Sequence, residues 1–135
     1  MISLYADGAG AERVGRPGGW AFAVVRGDEL LLERWGREAH TTSLAMELIA
    51  ATRGLEAVRD LGLRDVELIS DCRIALDVVR GAFLPKPPLV RALALTLHAV
   101  ARELTVTPRW VRAHAGDAWN EAVDALAADA RGPLR

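Results

Sequence analysis

The chain has 135 residues, the length of one ordinary domain, and its 51 % hydrophobic content can build one core without a metal or disulfide staple. A formal net charge of −1 and a pI of about 6.3 exclude a strongly basic binder that holds nucleic acid by charge alone. The single cysteine, Cys72, excludes an internal disulfide and fits a reducing cytoplasm, and the lack of a leader-like N-terminus or a long apolar run argues against a signal peptide or membrane span.

Residues 2–7 alternate, with Ile2, Leu4 and Ala6 on one side and Ser3, Tyr5 and Asp7 on the other, which is a strand pattern. Residues 8–19 are rich in glycine, contain Pro17 and read as a loop. Strands follow over 20–26 and 29–35, joined by Gly27-Asp28 as a tight antiparallel hairpin turn. Thr42 or Ser43 can cap a helix to about Asp60, in which Leu44, Leu48, Ala51, Leu55 and Val58 keep helical spacing and Gly62 closes the end. A short strand over 66–70 precedes a helix over 71–80 that stops at Gly81. After Pro85 and Pro87, Pro88 is suited to begin a helix to about Glu103. Residues 105–112 form a strand whose Pro108 assigns it to a sheet edge. His114, Ala115 and Gly116 make a loop, and Asp117 caps a last helix to about Ala130, stopped by Gly132-Pro133. Three strands in an antiparallel meander and two more alternating with helices imply an α/β fold with a mixed sheet.

The acidic residues carry the chemistry. Asp7 ends the first strand and Asp71 follows the fourth. If those strands are parallel neighbours, both carboxylates sit in the crevice beyond the strand ends, where open α/β sheets bind ligands. Carboxylates that close repel unless a cation lies between them or one takes a proton, and hard divalent ions favour such oxygens. Each also has a plain structural reading, Asp7-Gly8 as a turn start and Asp71 as a helix N-cap. Glu47 borders the apolar stripe of its helix, placed either to lean over the strand ends or to snorkel to water. Asp124 projects on the order of 120° from the stripe of Trp119, Val123, Leu126 and Ala130, so periodicity puts it on the solvated side. His114 on its loop either faces water or shuttles protons, whereas His40 and His98 read as surface residues. Trp20, Trp35, Trp110 and Trp119 could stack on bases, but at least three are expected in core or rim packing.

In order and placement, several motifs resemble type 1 ribonuclease H: Tyr5-Ala6-Asp7-Gly8, Gly18-Gly19-Trp20-Ala21, Met46-Glu47-Leu48, Ser70-Asp71-Cys72, and Trp110-Val111-Arg112-Ala113-His114-Ala115-Gly116 followed by Asn120-Glu121 and Asp124. The resemblance implies a ribonuclease H-like mixed five-stranded sheet, order 3-2-1-4-5, with strand 2 antiparallel to the rest and helices on both faces. It implies one catalytic domain over 1–131, with 132–135 as a short tail. It also implies metal ligands at Asp7, Glu47, Asp71 and Asp124, with His114 assisting turnover as a further catalytic residue. The activity implied is cleavage of the RNA strand of RNA–DNA hybrids by two Mg2+ ions, or Mn2+ in their place, leaving 5′-phosphate and 3′-hydroxyl ends.

The chain departs from the family pattern where substrate is read. The loop Val14-Gly15-Arg16-Pro17-Gly18 and the pair Ser43-Leu44 stand where members often carry asparagines that read the minor groove of a hybrid. Arg16 is suited to hold a phosphate, Ser43 either to hydrogen-bond substrate or to cap its helix, and Leu44 to neither. Gly8 and Cys72, the latter where serine is common, complete the expected nucleic-acid-binding set. The basic insertion of some members is also absent, the region 81–89 having only Lys86 and three prolines. The expectation is a monomeric, cytoplasmic hybrid-cutting endonuclease. A nuclease for duplex RNA or single strands and a non-catalytic binder on the same fold are the alternatives.

Overall fold

The computed structural model describes residues 1–132 and shows how the alternation of the first strand organises the molecule. Strand β1 (Ile2–Ala9) turns Ile2, Leu4 and Ala6 to one face of the sheet and Tyr5 to the other. Strands β2 (Arg16–Arg26) and β3 (Glu29–Thr41) extend the sheet on one side, and β4 (Asp65–Ser70) and β5 (Thr105–Trp110) on the other. The order is β3-β2-β1-β4-β5, with β2 antiparallel to β1 and β3, and β4 and β5 parallel to β1. Helices α1 (Ser43–Asp60), α2 (Arg73–Arg80) and α3 (Pro88–Ala101) build a core on the Leu4, Phe22, Val24 and Leu68 face. Helix α4 (Ala118–Arg131) covers the opposite face, packing Val123 and Ala127 on Tyr5, Ala21, Ala23, Val25 and Ile69. Fully buried leucines such as Leu4, Leu48, Leu55, Leu68 and Leu76 each contribute ~1.5–3 kcal/mol to this arrangement. No described helix is long and apolar enough to cross a membrane.

Register, more than strand order, positions the site. Ile2 pairs with Val66 and Tyr5 with Ile69, and the same offset brings Asp7 level with Asp71 just past the end of β4. Pro108 lies on β5, which is the expected edge.

The first two strands are longer than their sequence suggests. Residues 8–19, expected as a loop, instead continue the ladder, Gly8 opposite Trp20 and Ala9 opposite Gly19, so that only 10–15 connect β1 to β2. The glycines there serve close packing instead of turning. A Cβ on Gly19 would collide with the backbone of α4 at Ala127, and one on Gly18 with Thr41 and Met46. Strand β3, expected to end at Trp35, runs on to Thr41 because Gly36 lets the Trp20 ring lie against it.

Three further boundaries differ from the expected ones. Helix α2 begins at Arg73, not at Asp71; the Cys72 N–H donates to Ser70 Oγ at 3.0 Å and holds residues 71–72 in a turn. Strand β5 stops at Trp110, leaving Val111 and Arg112 to the loop that carries His114. Helix α3 ends at Ala101 instead of Glu103. Helix α4 ends at Arg131 with Gly132 as its C-cap, and residues 133–135 of the expected 132–135 tail lie outside the described residues.

Candidate active site

The C-terminal ends of β1 and β4 deliver the first two carboxylates. Asp7 is only 4 % exposed. Its Oδ1 accepts the Gly8 N–H at 2.9 Å, and the same N–H also donates to Glu47 Oε1, which ties strand end to helix. Glu47 comes from the second turn of α1, itself buried. That approach requires Gly8, where a Cβ would lie 2.5 Å from Glu47 N and 2.6 Å from the Met46 carbonyl carbon. Asp71 lies half-buried on the turn after β4, free of the capping duty that its sequence position allowed. One oxygen from each of Asp7, Glu47 and Asp71 lies within 4.8 Å of the others. Of the two readings open for each residue, the convergent one holds for all three.

Asp124 joins them in a groove of about 510 Å³ whose wall also includes Gly8, Ser43, Leu44 and Cys72. Its expected place on the solvated side of α4 is a correction. The stripe that α4 buries centres on Asn120, Val123 and Ala127, with Trp119, Leu126 and Ala130 to one side of it. That centre is rotated roughly 60° from the expected one, towards Asp124. The polar Asn120 inside the stripe misled the periodicity.

The electrostatics of the group are those of an anion cluster. Burial, then the neighbouring Glu47 carboxyl, the adjoining Asp124 carboxyl and the Asp71 charge, push the Asp7 pKa far above the usual carboxylate range. Burial pushes Glu47 up to about 8, against the lowering effect of its hydrogen bonds with Asp7 and Gly8. Asp71 is raised by burial and the Asp124 charge, and is lowered in turn by the Asn120 side chain and by His114. Asp7 Oδ2 is buried without a hydrogen-bond partner. An orphaned buried carboxylate oxygen facing three further carboxylates fits a hard divalent cation, and all-oxygen donors of this kind suit such an ion.

Asn120 is the residue that the sequence reading left without a role. It is 1 % exposed, its side chain lies close enough to Asp71 to lower that carboxyl's pKa, and its Oδ1 is unpartnered. The available signal was a polar residue at helical spacing with Val123 and Ala127 on the buried stripe.

The remaining expected residues divide. Thr42, not Ser43, caps α1, its hydroxyl accepting from Ala45 N at 3.2 Å, so the Ser43 side chain is not used as the cap. Arg16 starts β2 exposed and opposite Thr41, and is not part of the groove wall among the described residues. The Cys72 thiol is half-buried and pushed up in pKa by burial, an inert partner of the carboxylates. His114 is exposed with φ +54°, close enough to Asp71 for its charge to be felt there. His98, expected at the surface, is half-buried with Nδ1 3.1 Å from the Val78 oxygen, whereas His40 is exposed. Trp20 stacks on Phe22 and Trp119 lies against Tyr5, Trp110 borders the site, and Trp35 is 55 % exposed on the edge strand.

The family model described as RNase H matches residues 1–131. The chain is 37 % identical over 138 residues to a ribonuclease H of Pseudomonas fluorescens, covering 93 % of this chain and 89 % of the relative. Among solved structures, the RNase H1 of Halobacterium salinarum superposes with a TM-score of 0.82 at 27 % identity, covering 96 % of each chain. LC11-RNase H1, whose structure was determined in complex with an RNA/DNA hybrid, shares the fold with a TM-score of 0.78 at 19 % identity, covering 96 % of this chain and 99 % of that one.

Proposed function

The chain belongs to the ribonuclease H family, and from that premise we propose that it cuts the RNA strand of RNA–DNA hybrids with the help of two divalent cations. It is a hydrolase acting on nucleic acid. The finer reading takes residues 1–131 as the catalytic domain. Its chief support is the convergence of Asp7, Glu47 and Asp71 around a buried, unpartnered oxygen.

The residues of the site then divide the tasks. Asp7, Glu47, Asp71 and Asp124 would hold magnesium, with manganese as a substitute. Bound there, the ions supply Lewis-acid stabilisation of the reacting phosphate and an acidified water as nucleophile. The Gly8 N–H fixes Asp7 and Glu47 relative to each other. Asn120 fixes Asp71. His114, on an exposed loop beside Asp71, carries protons between the site and solvent. Ser43 and Gly8 line the groove where the strand lies, and the Ser43 hydroxyl, free of capping, hydrogen-bonds to it. The monomeric protein works in the cytoplasm, whose reducing conditions suit the Cys72 thiol.

Leu44 in the groove wall favours one second reading, a nuclease with less preference for hybrids, because a leucine cannot hydrogen-bond the minor-groove edge. A single assay separates the two. Labelled hybrid, duplex RNA, duplex DNA and single strands are incubated with magnesium, manganese or chelator. The expected result is metal-dependent cutting of the hybrid's RNA strand, abolished by Asp7→Asn and by Asp71→Asn. Cutting in chelator, or full activity in either variant, rejects the mechanism; stronger cutting of duplex RNA selects the second reading.

A further inference from the structure

The carboxylate cluster can hold cations, but a polyanionic strand entering the groove also meets the acidic side chains Asp7, Glu12, Glu47, Asp71 and Asp124. Beside Asp71, on the β5 side, two residues form a stacked unit of opposite character. Trp110, the last residue of β5, donates its indole N–H to the Asp71 backbone oxygen at 3.1 Å. Arg73, two residues after Asp71, lays its guanidinium over that indole with Cζ 3.9 Å from the ring centroid. Arg73 is exposed, and among the described residues no carboxylate pairs with it, whereas Arg59, Arg80 and Arg109 are all engaged in ion pairs. Its place also gives nothing to α2, since a cation in the first turn opposes the helix dipole.

We propose that Arg73, stacked on Trp110, is a phosphate clamp that holds the backbone of the bound nucleic-acid strand next to the carboxylate cluster. A guanidinium held over a ring at this distance has already given up much of its rotamer freedom, yet among the described residues no carboxylate occupies its N–H groups. That planar fork matches two oxygens of a phosphodiester. Through the Trp110 hydrogen bond the clamp is tied to the main chain of Asp71, so a phosphate held there is kept in register with a metal-binding carboxylate. The clamp offers, at one point, the positive charge that a chain of net charge −1 lacks overall.

This proposal rests on the nuclease reading, and the test tells their failures apart. Fluorescein-labelled RNA–DNA hybrid is titrated with the Asp7→Asn protein in magnesium across a range of salt. Arg73→Gln is expected to weaken binding about tenfold and to make the log–log salt slope shallower by about 0.9, the signature of one lost phosphate contact. Arg73→Lys recovers part of the affinity, because an ammonium neither stacks nor forks as a guanidinium does. Trp110→Leu weakens binding as Arg73→Gln does, and the double variant is no weaker than either alone. Trp110→Phe, which keeps a ring under the guanidinium, retains most of the slope and guards against a folding defect in the leucine variant. Unchanged affinity and slope in Arg73→Gln overturns the clamp and leaves the nuclease reading standing. Failure of the Asp7→Asn parent to bind any hybrid overturns both.

Discussion

Asn120 sits fully inside the α4 interface, where a polar side chain is costly without polar company, and it has Asp71 as its neighbour. The Asn120 side chain favours the ionised form of a carboxylate which burial and Asp124 otherwise push towards protonation. Removing it leaves Asp71 both less well oriented and less acidic. Asn120→Ala is therefore expected to lower kcat by about 10–100-fold and to raise the magnesium concentration needed for half-maximal activity, with little change in KM for hybrid. Steady-state kinetics over a magnesium series, beside a thermal melt showing an intact fold, make the check; an unchanged magnesium requirement would assign Asn120 to packing alone. Gly8 is constrained in another way. Its N–H serves two carboxylates while its missing side chain admits the backbone of α1.

At the scale of elements, the start of α1 sets a capping hydroxyl beside one that lines the groove. Thr42 caps the helix, whereas Ser43 is the first helical residue and faces the groove. Thr42→Ala should cost about 1 kcal/mol of stability in denaturant titration and leave KM nearly unchanged. Ser43→Ala should do the reverse, raising KM for hybrid while the denaturation midpoint stays put. Equal behaviour of the two variants would remove Ser43 from the substrate groove. The sheet register does comparable work for the acidic residues. Parallel pairing of β1 with β4 brings Asp7 level with Asp71, α1 crosses over their ends with Glu47, and α4 reaches the group from the other face with Asp124 and Asn120. Four elements thus supply one site, and none of them could form it alone.

For the whole molecule, the cluster is expected to make stability depend on pH and on added divalent metal. The Glu47 carboxyl, ordinarily near 4.5, is pushed up to about 8 in the fold, and Asp7 is shifted in the same direction. A carboxyl with a higher pKa in the folded state binds more protons there than in the unfolded chain. Its contribution is fully present below about 4.5 and is lost as pH rises through about 8. Metal-free protein is thus expected to lose melting temperature across that window as far as these groups decide it. Magnesium, which replaces the protons, should raise the melting temperature by an increment that grows with pH. Asp7→Asn should flatten the pH dependence and abolish most of the magnesium increment. Calorimetry at several pH values, with and without magnesium, reads all three effects; a magnesium increment that is flat with pH would count against proton–metal exchange at the cluster.

Much of this was legible in the chain. Alternation in β1, helical spacing in α1, the Gly81 stop and the edge proline Pro108 are local signals, and local sterics and burial of one face enforce them. The motif order around Asp7, Glu47, Asp71 and Asp124 identified the group, though only the resemblance, not the helix angle, included Asp124. What the sequence left open depends on close approach between distant segments. Gly18 and Gly19 looked like loop residues because the α4 backbone and the Thr41 and Met46 side chains that exclude a Cβ there lie far along the chain. The face that α4 buries was misjudged because Asn120 is polar by itself and becomes an interior residue only once Asp71 is there beside it. Pattern along the chain decides which segments fold into what. Which polar groups can be buried depends on the partners they meet, and the tertiary packing alone supplies those partners.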